Sequence, residues 1–445
     1  MSARCYFDDS LPRFAALVSE FLGPSAFVEH LFLRDAAGRL TLVLRGEAPR
    51  QHREEVLTRL AQAAHASIAP YIEAPDLAVA TPNELYSPEL VGAGTWEWIE
   101  HPAFTGFVCL AERRIVGQDW LIPPQQPLPG APPIIVFASH KGGVGRTTAM
   151  VVAAADFAAR GKNVLTLDLD LEAPGLGGML LDEERTPLFG ALDFFTENGL
   201  GPLDDQFLSD LYGVSPLTAG QGLVHVVPAV GQRSVRDPQN VLAKLARAYL
   251  EDPTTDGNKS FLQQTRDLIR CLTERNVYDA VLIDARAGLH ESTSAAILGL
   301  GADVLLFGID TPQTFTGYQY LLAHLARFKP TAMDDPEWRL NLRFVHAKAT
   351  ADPASWAHFD DQTYDLFAKH IYDIDDPDDQ DPGSRPPLNF DAHSQEAPHV
   401  AWRILSDANY SEFDPPTRSQ QLSEPLYSRT FGSFLTQLRQ RLELD

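Results

Sequence analysis

His140-Lys141-Gly142-Gly143-Val144-Gly145-Arg146-Thr147-Thr148 follows an apolar run at residues 134–138 and opens a helical stretch that starts near Thr147. Strand, glycine-rich loop and helix, in that order, form the setting in which backbone N–H groups curl around a phosphate. The helix N-terminus adds the positive end of its dipole. Thr147 stands where a hydroxyl would ligate Mg²⁺, and Gly142, Gly143, Val144, Gly145, Arg146 and Thr148 complete the expected cradle. Two positions depart from the pattern G-x-x-x-x-G-K-[ST]: His140 replaces the first glycine and Arg146 replaces the lysine. A glycine-rich turn without a ligand is therefore a fair alternative for the loop taken alone. The neighbouring strand ends weigh against it.

Apolar runs at 134–138, 164–169, 224–227, 280–283, 304–308 and 342–345 alternate with helical stretches. This predicts an α/β domain with a mostly parallel sheet and helices on both faces. A long insertion at about 204–276 holds the third run and two helices, at 241–250 and 260–273. Ligands of such sheets bind beyond the carboxyl ends of the strands. There the second run ends in Asp168 and Asp170, two carboxylates on one face, and the fourth ends in Asp284. Gly288 follows closely, placed to offer an N–H to a γ-phosphate. Arg286 stands between them, either as extra positive charge or as a plain salt bridge. A solvated acid is the bland reading for each carboxylate, but three strand ends in the right order argue for one Mg²⁺-dependent site.

The stretch from Lys141 to Thr148 resembles the deviant Walker A loop of the ParA/MinD superfamily of P-loop ATPases. With Arg146 in place of the second lysine it is similar to the KGGVGR-variant subset, as is Asp168-Leu169-Asp170-Leu171-Glu172-Ala173-Pro174-Gly175. Lys141 matches the signature lysine, Asp168-Leu169-Asp170 the second motif and Asp284 the Walker B acid, over about residues 133–350. The resemblance implies a homodimer with ATP between its subunits and Lys141 reaching the partner's phosphates. It also implies that Asp170 orients the attacking water and that Thr147, Asp168 and Asp284 support Mg²⁺. Phosphoryl transfer needs positioning and charge neutralisation more than covalent chemistry, which suits such a set. Family members carry an asparagine for the adenine at the end of the strand 342–345; here His346 or Lys348 takes its place. Arg146 keeps the charge but presents a planar fork in place of a compact ammonium. ATP binding is thus expected to survive and hydrolysis to be slow.

The other segments frame this site. Residues 1–122 read as a small α+β domain for interaction or regulation, with helices at 11–22 and 54–66. It has a hairpin of 27–33 with 40–44, and a strand at 106–110. A turn at 113–120 closes it. Six prolines at 123–133 predict a semi-rigid linker. The site domain spans 134–445, and its extension at 350–445 includes an acidic run, 373–382. That run lacks the glycine and terminal glutamate of an EF-hand and reads as a solvated loop. Residues 426–442 form an amphipathic helix, more consistent with a helix docked on the core than with a lipid anchor.

The chain's 445 residues carry 60 acidic against 36 basic side chains, a net charge of −24. That balance speaks against DNA and anionic membranes as partners, because both need clustered positive charge. Cys5, Cys109 and Cys271 are too scattered for a metal site or a disulfide framework. No apolar signal core or membrane-length run is evident, so the protein is expected to be cytoplasmic. The leading functional expectation is an ATP-dependent dimerisation switch acting on a co-encoded protein partner. The alternatives are a nucleotide sensor or scaffold without hydrolysis, in a bacterial defence or signalling system, and a biosynthetic P-loop enzyme.

Overall fold

A computed structural model describes residues 5–45, 53–85, 96–100, 107–114, 117–200, 203–217, 221–250, 252–254, 257–373 and 385–444. Contacts divide the chain into two compact units, Met1–Gln118 and Asp119–Asp445.

In the first unit, strands β1 (Leu31–Arg34), β2 (Leu40–Val43), β3 (Val79–Ala80), β4 (Glu97–Glu100) and β5 (Phe107–Glu112) form one sheet in the order β3-β2-β1-β5-β4. The expected hairpin is β1 with β2. Its turn is held by Asp35, whose Oδ1 accepts from the N–H groups of Ala37 and Arg39 at 2.9 and 2.8 Å, while Gly38 supplies a φ of +84°. The first arm is shorter than the apolar run suggests, because Ala26–Glu29 is helical and the strand begins only at Leu31. The central pairing, β1 with β5, is parallel. Helices Phe7–Leu22 and Glu54–Ile68 bury Phe14, Val18, Leu60 and Ile68 with Phe32, Leu42 and Val108 of the sheet.

The second unit is built on eight strands. They are β6 (Ile134–Ser139), β7 (Val164–Asp168), β8 (Gly213–Val214), β9 (Val224–Val227), β12 (Ala280–Asp284), β13 (Asp303–Gly308), β14 (Leu342–Ala349) and β15 (Trp402–Leu405). Their order is β15-β14-β13-β6-β12-β7-β9-β8, and only β8 runs antiparallel to its neighbour. A small ribbon, β10 (Asp252–Thr254) with β11 (Gly257–Lys259), stands apart. Each of the six expected strands is present, and β8 and β15 are additional. Side chains of the sheet alternate between two cores: Val136, Ile283 and Leu306 face one, Ile135, Leu282 and Leu305 the other. Both faces being covered explains why the strands read as apolar runs rather than as alternating ones.

Two segments sit differently from their sequence reading. The proline-rich stretch lies along the second unit: Gln125 N–H donates to Leu298 O at 2.7 Å, and Leu128 joins the core. Trp120 and Asp119, expected in a turn closing the first domain, are buried in the second unit. There Asp119 Oδ2 accepts from Leu262 N–H at 2.7 Å. Of the acidic run only Asp373 is described, paired with the fully buried Arg339 at 2.7 Å; residues 374–382 lie outside the described residues.

The helix Glu424–Leu442 packs its whole stripe inward, burying Phe431, Phe434, Leu435, Leu438 and Leu442. Phe434 meets Phe137 of β6 and Phe307 of β13 edge-on, at 6.4 and 6.1 Å between centroids. Buried Asp156, on the helix that follows the glycine loop, accepts from Arg439 at 2.6 Å and from the Tyr427 hydroxyl at 3.1 Å. Docking on the core thus accounts for the amphipathic pattern. Among the described residues no helix is long and apolar enough to cross a membrane.

Candidate functional site

The register of the sheet assembles the site. β12 pairs with β6 on one side and β7 on the other, so Asp284 lies beside Phe137 and directly beside Asp168. The glycine loop leaves β6 between these strands and enters the helix Arg146–Ala159. Gly143 and Gly145 take φ of +76° and +95°, a region that strains any residue with a β-carbon, so glycine is required at both.

Arg146, the first helical residue, does not point out of the loop. Its guanidinium turns inward, 8% exposed, and donates through Nε to Asp284 Oδ1, through Nη1 to Ser139 Oγ at 3.2 Å and through Nη2 to Asp170 Oδ2 at 3.3 Å. The Thr147 hydroxyl donates to the other Asp284 oxygen at 2.6 Å. Asp284, 2% exposed, therefore has both oxygens engaged. Burial raises its pKa and the Arg146 charge opposes that rise. Asp168 is fully buried and accepts from the N–H groups of Asp170 at 3.0 Å and of Gly175 and Leu176, both at 3.2 Å. Burial, with the Asp284 charge second, pushes its pKa up to about 7 against the pull of those three bonds. Asp170 keeps one oxygen, Oδ1, buried with no hydrogen-bond partner among the described residues.

Two lysines flank the loop. Lys141 is exposed, its Nζ donating to Gln313 Oε1 at 2.9 Å. Lys348, at the end of β14, adopts φ +53° and donates from Nζ to Gly143 O at 2.7 Å.

The structure thus gathers Lys141, Gly142 to Thr148, Asp168, Asp170, Asp284 and Lys348 at one sheet edge. Two expected residues sit otherwise. The Gly288 N–H is committed to Ser139 O at 2.9 Å, so it anchors the loop and is not offered to a phosphate. His346 is 2% exposed and stacks on Phe359, with 4.2 Å between centroids and 7° between planes. Their i, i+2 spacing would put His346 and Lys348 on one face of a regular strand, but the pairing of β14 with β15 is irregular between His346 and Ala349 and Lys348 takes φ +53°, so one side chain is buried among aromatics while the other is exposed. Asp168 is turned onto backbone N–H groups, which suits a role in shaping the 170–175 loop.

Burial lowers the His346 pKa to about 4, with Arg403 adding to the fall and Asp310 opposing it. A folded pKa below the unfolded one makes this histidine stabilising above pH about 6.5 and progressively destabilising as pH falls toward 4. His346→Phe, which keeps the stack, should therefore remove about 2 kcal/mol of acid sensitivity between pH 8 and pH 5. Urea unfolding of both proteins at the two pH values checks this. An identical loss of stability in both would refute it.

Several contributors carried little signal in the sequence. Ser139 closes the Arg146 network. Gly317, in the helix Pro312–Leu325, lies against the ring of His140, where a β-carbon would come within 2.1 Å of Cδ2. A glycine inside a helical pattern is the one available hint of such close approach. Arg286 pairs with Glu172, and His290 Nε2 lies 3.6 Å from the same carboxylate, which ties the loop after β12 to the loop after β7.

Residues 133–186 match a family model described as an AAA domain, a span that runs from β6 through the glycine loop and β7. No curated protein matches the chain. Among solved structures, a ParA family ATPase from Chlorobium tepidum is 16% identical with a TM-score of 0.44, covering 69% of this chain and 99% of that one. The cell division ATPase MinD of Pyrococcus furiosus is 19% identical with a TM-score of 0.40, covering 69% and 99%. The MinD cell division protein of Aquifex aeolicus is 15% identical with a TM-score of 0.40, covering 69% and 96%. The family model thus covers the glycine loop and Asp168-Leu169-Asp170.

Proposed function

We propose that this chain is a nucleotide-switch ATPase of the ParA/MinD type, which closes around ATP as a dimer to control a partner protein and hydrolyses slowly. The observation that carries this reading is the meeting, at one carboxyl edge, of a phosphate-shaped loop, the buried Asp168 and Asp284 with half-buried Asp170, and an exposed Lys141. The loop and Lys348 supply a binding surface for phosphate oxygens. Lys141 is free of the carboxylate cluster and stands at the rim, where a second subunit's nucleotide could receive it. An ammonium placed there would act on charge developing in the transition state, as an arginine finger does.

Asp170 suits the role of orienting the attacking water. One of its oxygens is fixed by Arg146, and the other is an open acceptor in a buried setting, where an unmet hydrogen bond is costly. Mg²⁺ is the cofactor that the resemblance implies, held by Thr147 and Asp284 with Asp168. The donors do not fit it as they stand. Both Asp284 oxygens are engaged, Asp168 is spent on backbone N–H groups, and no cluster of three or more metal-ligating side chains occurs among the described residues. The binding and orienting steps above are therefore assigned to the chain's own side chains.

Size-exclusion profiles of the whole protein with ATP, with ADP and without nucleotide test the switch. The expected result is a dimer with ATP only, abolished in Lys141→Ala while ATP binding persists. Three coincident profiles would sink the dimerisation reading.

A further inference from the structure

We propose that Arg146 takes over the bridging role of the divalent cation, so that ATP binding by this chain does not depend on Mg²⁺. The inference rests on the ATP reading above and concerns the same loop.

A divalent ion in a phosphate loop links protein oxygens on one side to phosphate oxygens on the other, and cancels repulsion between them. Here the protein oxygens that would perform the first half already hold a cation. Arg146 binds Asp284 and Asp170 together, and Ser139 fixes the remaining arm of its fork. The guanidinium has five N–H donors in one plane and remains charged at any accessible pH. Three of the five are committed to Asp284, Ser139 and Asp170. Two remain, on the two Nη atoms, for oxygens entering the loop whose helix Arg146 itself begins. A lysine in the same place has three donors from a single nitrogen and could not hold two carboxylates, a hydroxyl and a phosphate together.

The competing arrangement needs Mg²⁺ to displace this cation. That would break a buried ion pair on a carboxylate only 2% exposed, whose second oxygen is held by Thr147. The guanidinium removed would then face the same loop as an unpaired buried charge, which is costly. Lys348, bonded to Gly143 O, and Lys141 add positive charge at the loop without any metal.

The test is titration of a fluorescent ATP analogue into the full chain, in Mg²⁺ and in EDTA, with Arg146→Lys run beside it. The wild-type dissociation constant should change by less than about threefold on chelation. The lysine variant should become dependent on the metal by about tenfold or more, a difference of about 1.4 kcal/mol. A wild-type affinity that falls about tenfold or more in EDTA overturns this proposal and leaves the ATP reading intact. Absence of binding in both buffers overturns the two together. The wild-type arm decides by itself if the variant does not fold.

Discussion

Arg146→Met should lower the stability of the second unit by about 3–5 kcal/mol at pH 7.5, the usual cost of removing one partner from a buried ion pair. Asp284 would lose its cation while keeping the Thr147 hydroxyl, and Asp170 would lose its ion pair with Arg146. In a unit of this size each kcal/mol moves the melting temperature by a few degrees, so a fall of about 10 °C is expected. The deficit should shrink as pH drops. Without Arg146 only the Thr147 hydrogen bond opposes the burial that raises the Asp284 pKa, so the folded variant binds more protons than the unfolded one, and acid favours it. A second substitution, Asp284→Asn, removes the stranded charge and should recover most of the loss, giving a coupling of about 2 kcal/mol or more across the double-mutant cycle. Thermal melts of the four proteins at pH 7.5 and pH 5.5 make the comparison. Should Arg146→Met melt within about 2 °C of its parent, the carboxylates do not depend on the guanidinium.

Much of this arrangement was legible before any coordinates. The six buried strands announce themselves because both sheet faces are covered, so each reads as an unbroken apolar run, and Asp168 and Asp284 mark where two of them end. The glycine loop is legible because its φ values admit few other residues. What escaped has a common cause: it depends on which way a side chain turns or on a partner distant in sequence. Nothing local tells whether Arg146 points out toward a ligand or back onto Asp284, 138 positions away. Strand parity would put His346 and Lys348 on one side of β14, and nothing local announces the irregular pairing before Ala349 or the positive φ at Lys348 that separates them, with His346 stacked on Phe359. The parallel pairing of β1 with β5 and the burial of Trp120 in the second unit are likewise long-range outcomes. So is the packing of the proline-rich stretch along that unit, since proline chemistry dictates an extended chain but not what the chain lies on.

Asp170→Asn should reduce single-turnover ATP hydrolysis by about 10²–10³-fold, within the range expected when a residue positioned to handle a proton is lost. The substitution is nearly isosteric and leaves Asp284 and Ser139 as partners of Arg146, so the loop should retain its shape and ATP affinity should change only by a few-fold. What it removes is specific. Asp170 presents a carboxylate oxygen that is buried and has no hydrogen-bond partner among the described residues, beside a second oxygen anchored at 3.3 Å to Arg146. An anchored carboxylate with one free acceptor can hold a water in a fixed direction, whereas an amide in its place offers either a donor or a weaker acceptor. The anchor also limits the parent: a carboxylate held by a guanidinium is less free to turn toward the nucleophile as it attacks, which is why the parent itself is expected to turn over slowly. Arg146→Lys, by loosening that hold, should then speed hydrolysis in Mg²⁺ where Asp170→Asn slows it. Phosphate release from pre-bound radiolabelled ATP distinguishes the three proteins. If Asp170→Asn hydrolyses ATP within about threefold of its parent, the open oxygen does not position the nucleophile; if the parent itself releases no phosphate, the non-hydrolysing sensor becomes the better account of this site.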